Sequence, residues 1–139
     1  MAIVSKNMET QEKMISTFEE LQKAIYDLKY QLVEFELLFN QACNRHIDSN
    51  FQKEWLLDRI SSRYDMITLR HDVMLQVRDT ISAFMDFDGH FLDVKQLLQS
   101  IESLMLSHAD EEEYEMAAII KKWHEKFSQA IYFVNDFTY

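Results

Sequence analysis

Ser107 to Ala118 reads SHADEEEYEMAA and gathers five carboxylates and one histidine within twelve residues. Such groups serve as metal ligands, as general acids and bases, or as bait for a basic partner, and spacing decides among these. His108 and Glu112 have the i, i+4 separation that sets two ligands on one helix face only if a single helix runs through both. A turn is expected between them instead. A di-iron or di-manganese bundle needs Glu-x-x-His pairs, which project two ligands inward together. Three residues before His46, His71, His90, His108 and His124 stand Cys43, Thr68, Phe87, Met105 and Lys121, so no such pair exists. His124-Glu125 opens like a zinc-protease motif, but Ser128 takes the place of the second histidine. No metal ligand set is expected.

The remaining chemical candidates are sparse. Cys43 and His46 share a helix face at i, i+3, the proximity a thiolate nucleophile needs, yet a third orienting group and a glycine-rich oxyanion turn are missing. One glycine, Gly89, also excludes a glycine-rich phosphate loop. The expectation is no catalytic residue, no cofactor and no enzyme. Arg59, Arg63 and Arg70 form a stripe that can track phosphates, but Asp58, Asp65, Asp72 and Asp79 recur every seven residues beside it and cancel the field. All five arginines lie between residues 45 and 78, whereas residues 80–139 hold four lysines against eleven acids. Salt bridges from the arginines to acidic neighbouring helices are the expected outcome, and direct nucleic-acid binding is disfavoured.

The elements that must position these groups are helices. With no proline and one glycine among 139 residues, and 47% hydrophobic residues, the chain lacks strand and loop punctuation but has ample material for one core. A net charge of −10 repels phosphate backbones and anionic membranes. No apolar run nears the ~20 residues that span a bilayer, the N-terminus lacks signal-peptide character, and a lone cysteine fits a reducing compartment. A cytoplasmic location is expected.

Apolar residues then step by fours and threes. Phe18, Ile25, Leu32 and Phe39 take heptad position a, with Met14, Leu21, Leu28, Phe35 and Ala42 at d, giving a helix over about 7–46, ~60 Å long. Ile15, Ala24, Val33, Leu37 and Leu38 widen its stripe toward further neighbours. Ser49 and Gln52 have capping-box form, predicting a second helix over about 50–87, with polar His71 and Arg78 in its seam. Gly89 then sits where a left-handed C-cap belongs. A third helix over about 91–107 carries Val94, Leu97, Ile101, Leu104 and His108. A fourth over about 110–135 carries Met116, Ile120, Trp123, Phe127, Ala130, Val134 and Phe137. Asp110 and Glu113 read as a second capping box, and Ala117-Ala118 permits close helix approach.

The predicted fold is therefore a single all-α domain: a long antiparallel helical hairpin plus a shorter one, four-helix-bundle-like with coiled-coil character. The shorter hairpin cannot cover the longer, so part of the first seam needs another partner. Phe18, Leu21, Ile25, Leu28 and Leu32 are its candidate oligomer seam, and a homo-oligomer or docking on another protein is expected.

The segment LLQSIESLMLSHADEEEYEMAAIIKKW, residues 97–123, resembles the UVR motif shared by the B and C subunits of nucleotide-excision repair and by several adaptor proteins. Tyr114, Glu115, Ala117, Ala118 and Ile120 fall on the motif positions, while Lys121-Lys122 and Trp123 depart from it. The resemblance implies a helical hairpin, over about 91–135, that docks protein partners and performs no chemistry. It implies interaction through Tyr114, Met116, Ala117, Ile120 and neighbouring apolar residues, while Glu111, Glu112 and Glu115, not needed for the cap, are left free to face a partner, for which the net charge favours a basic surface. The expected function is an adaptor or assembly subunit. The alternative is an acidic inhibitor or nucleic-acid mimic filling the basic groove of a nucleic-acid enzyme; a further one is an accessory nucleic-acid binder using the arginine stripe.

Overall fold

The computed structural model describes residues 2–136, with side chains described from 8 to 132. Four helices carry it: α1 (Ala2–Asp48), α2 (Glu54–Ser82), α3 (Val94–Asp110) and α4 (Tyr114–Asp136). Among the described residues extended pairing is limited to an isolated bridge between Met85 and Phe91. The all-α expectation holds.

The four-three spacing explains the packing. α1 and α2 form a long antiparallel hairpin, and α4 lies against both while α3 rests on α2 and α4 without reaching α1. Met14, Phe18, Leu21 and Ile25 of α1 meet Val73, Met74, Val77 and Ile81 of α2, with Leu97, Leu98 and Ile101 of α3 and Ile120, Trp123, Phe127 and Ala130 of α4. Burying each large side chain contributes about 1.5–3 kcal/mol, so this cluster holds the fold. Val134 and Phe137 of the fourth seam lie outside the described side chains.

α2 differs from its expected seam. Val73 and Val77 are fully buried at its centre, whereas His71 and Arg78 sit half-buried at the edges. His71 lies 3.9 Å from Asp72 and Arg78 3.0 Å from Asp79, so each is answered by its sequence neighbour. α2 has neighbours on more than one side, and its apolar residues are spread accordingly.

Its limits also differ. Ser49 Oγ does accept from the Gln52 amide at 3.2 Å, but Asn50 and Phe51 have φ of 58° and 66°, and the helix begins only at Glu54. The predicted cap shapes a turn. At the other end α2 stops at Ser82, because the backbone folds back: Leu92 donates to the Phe84 carbonyl at 2.7 Å and Asp86 to the His90 carbonyl at 2.9 Å. Gly89, at φ +79°, serves this reversal and not a helix C-cap. Phe84 and Met85 still pack on the core from outside the helix, which is why the apolar pattern overruns it.

One contact clasps this loop to α1. The Gln11 amide donates to the Phe91 carbonyl at 2.9 Å and accepts from the Phe91 amide at 2.8 Å. Phe91 then meets Phe18 edge to face, ring centroids 6.1 Å apart. Asp93 follows, accepting from the Gln96 amide at 3.2 Å to start α3.

Candidate functional site: docking surfaces

The shorter hairpin ends halfway along the longer one. Met66, Leu69 and Arg70 of α2 share a cleft with Glu115, Ala118 and Ile119 at the start of α4, marking the step where four helices become two. Beyond it, the α1–α2 groove continues as an open cleft of about 520 Å³ lined by Gln31, Phe35, Arg63, Met66, Ile67 and Arg70. Nine of the fifteen large apolar side chains exposed among the described residues fall between 26 and 66. Exposure gathered in one part of the chain differs from the single scattered apolar residues that every protein surface carries.

The first-seam residues are distributed differently from the expectation. Phe18, Leu21 and Ile25 are 8%, 0% and 7% exposed within the single chain, so they form its own core and cannot serve as an oligomer seam. Leu28 packs partly buried against that core, and Leu32 is half-covered by the hairpin. What α1 leaves open is another face. Counting by fours and threes from Glu9 gives Glu12, Ser16, Glu19 and Lys23, all exposed, and then Tyr26, Tyr30, Val33 and Leu37, which are 61–69% exposed. This row lies roughly 150° around the helix from the a/d seam, at 3.6 residues per turn. Val33 and Leu37, expected to widen the seam, belong to this opposite row. The sequence contains the row in full, but the seam on the other side of the helix overshadows it.

The arginine stripe stands apart from the acids. Arg59, Arg63 and Arg70 form no ion pair with any described residue, against the expected bridges to acidic helices. Arg78 pairs instead with its neighbour Asp79 at 3.0 Å, and Lys126 of α4 with Glu20 of α1 at 3.5 Å. Segmental net charge is complementary, yet the acidic residues of α3 and α4 do not reach the arginine row.

The acidic stretch is divided by its turn. α3 continues to Asp110, so Asp110 closes one helix instead of capping the next, and Glu112 takes φ 62°. His108 locks the turn: Nδ1 is 3.2 Å from Glu113 Oε1 and Nε2 2.8 Å from Gln76 Oε1 of α2. The capping box of Asp110 and Glu113 is thus replaced by a histidine brace. Glu111, Glu112, Tyr114 and Glu115 are exposed and Met116 is partly buried. Ala117 and Ile120 are 9% and 0% exposed, so these two belong to the core and not to a partner surface. Of the alanine pair only Ala117 is buried; Ala118 is exposed and lines the cleft at the step.

One cluster went unread in the sequence. Asp86, Asp88 and His90 hold ligand-type atoms within 4.8 Å of one another. Their alternate spacing around Gly89 was the available clue. Asp86 Oδ1 already accepts from the Asp88 and His90 amides, each at 2.9 Å, so this carboxylate has a structural task in the reversal. Cys43 is a partly buried free thiol, while His46 accepts the Lys53 amide at 3.1 Å and shapes the hairpin tip. No helix among the described residues is long and apolar enough to cross a membrane. No protein-family model, curated protein or solved structure matches the chain.

Proposed function

We propose that this chain is a non-enzymatic interaction module, an adaptor or assembly subunit, that receives a helix of a protein partner on its distal α1–α2 hairpin. The observation that carries this reading is the uncovered α1–α2 groove beyond the step, with half-open Phe35 and exposed Met66 in its wall and the cations Arg63 and Arg70 on its rim. An amphipathic helix with an acidic rim satisfies such a groove, because its apolar face replaces the missing cover and its acids answer the arginines. A UVR-like role for the second hairpin fits the same reading in a narrower form. Glu111, Glu112, Tyr114 and Glu115 remain open to a basic partner, while the rest of the motif holds the fold.

The acids do not favour mimicry of a nucleic acid. Glu20, Asp27 and Glu34 follow one another at seven-residue steps along α1, but Lys126 meets Glu20 and Lys122 lines the same cleft as Asp27, so basic side chains interrupt this row. Affinity purification from the native cell tests the proposal, comparing the unaltered chain with Phe35→Glu and Met66→Glu variants. A partner lost with these groove variants and kept with Glu111→Gln/Glu112→Gln supports it. A partner set unchanged by the groove variants overturns it.

A further inference from the structure

We infer that the outer face of α1 pairs with the same face of a second copy, antiparallel about a two-fold axis between Gln31 and Leu32. The inference rests on the reading of the distal hairpin as an interaction surface and assigns one face of it. Tyr26, Tyr30, Val33 and Leu37 are separated by four, three and four residues, the step of a helix-packing seam, and they are 61–69% exposed. No described residue covers them. The same face changes character abruptly, from Glu19 and Lys23 before Tyr26 to Asn40 and Asn44 after Leu37.

The occupant follows from symmetry. Residues 26, 30, 33 and 37 are palindromic about 31.5, so a two-fold sets each Tyr26 against the other copy's Leu37 and each Tyr30 against its Val33. Such a self-complementary patch is what an isologous interface requires. The charge on one edge agrees. Lys29 and Glu36 flank the row on the same side, and the axis brings each Lys29 to the other copy's Glu36. Within one chain they stand seven residues apart, ~10.5 Å along the axis, and neither pairs with any described residue.

The other edge carries Asp27 and Glu34, which the same axis brings together as like charges. Asp27 shares a cleft with Arg70 and Lys122, which softens that repulsion. At 150–250 Å² for each fully buried aromatic, and two-thirds of that still exposed, the four-residue row of both copies buries on the order of 900 Å². That is near the lower bound of about 1,000 Å² for a specific interface, so a dimer in the micromolar range is expected.

Sedimentation equilibrium of the full chain, with circular dichroism to verify folding, tests this directly. The unaltered chain should dimerise between about 1 and 100 μM, and Val33→Glu should raise the dissociation constant by at least about a hundredfold with helicity unchanged. Lys29→Glu should weaken the dimer about tenfold, and Lys29→Glu/Glu36→Lys should restore it to within about threefold, because the pair is intermolecular and reciprocal. Glu34→Lys should tighten it. A chain that stays monomeric throughout overturns the inference while leaving the partner-binding proposal standing, provided groove-dependent capture persists. A dimer indifferent to Val33→Glu and to both charge reversals overturns the assigned face and register.

Discussion

The two halves of α1 follow one heptad pattern and live in different surroundings. Up to Ile25 the a/d residues are at most 8% exposed, sealed by α2 and α4, while Leu32, Phe35 and Phe39 of the same seam remain half-open. The outer face changes in parallel, from charged residues to a tyrosine-rich apolar row. Seam spacing alone therefore states that a helix will pack; the neighbours' lengths decide which turns are packed inside the chain. The second hairpin stops at the step, and the apolar character of the exposed face begins there.

This contrast can be broken or sharpened by substitution. Phe127→Ala removes a fully buried ring at the heart of the covered half and should cost about 3–5 kcal/mol in urea unfolding. Gln11→Ala releases both backbone groups of Phe91, itself 4% exposed, and should cost about 1–3 kcal/mol with faster amide exchange across 84–92. Phe39→Ala, in the half-open seam, should cost only roughly 1 kcal/mol; a loss matching that of Phe127→Ala would abolish the distinction between the halves. Lys126→Ala removes an exposed ion pair and the ammonium seated 4.9 Å from the Trp123 ring centroid, and should cost at most about 1 kcal/mol. Asp110→Asn should raise stability by a few tenths, about 0.3 kcal/mol, because the carboxylate opposes the α3 dipole at its C-terminal end. A capping role would give the opposite sign.

The helices were legible because four-three spacing over many turns leaves little else for the chain to do. The seam of α4 from Ile120 to Ala130 is buried as its spacing predicts. Boundaries were less legible where backbone and side chain compete. Ser49 and Gln52 bond as a cap but within a left-handed turn, and Asp110 continues a helix that an acidic run was expected to begin. His108 decides that case by reaching Gln76, thirty-two residues away, a contact no local pattern encodes. The same limit applies to Arg59, Arg63 and Arg70: opposite charge on two segments says nothing about which side chains come within 4 Å. The UVR-like pattern points Ala117 and Ile120 outward, whereas the four-three count sets Ile120 in the core.

The position of the step has a mechanical consequence. From Leu28 to Asp48 the hairpin overhangs its support by twenty residues, ~30 Å at 1.5 Å per residue. A tilt of about 5° at the step moves the tip by roughly 2.6 Å over that length, enough to carry a side chain out of hydrogen-bonding range. The unsupported arm is thus a lever with its fulcrum beside Arg70. Under the proposed function, a partner seated in the groove bears on the arm at its fulcrum, so its contacts there would be read out as displacement of the tip.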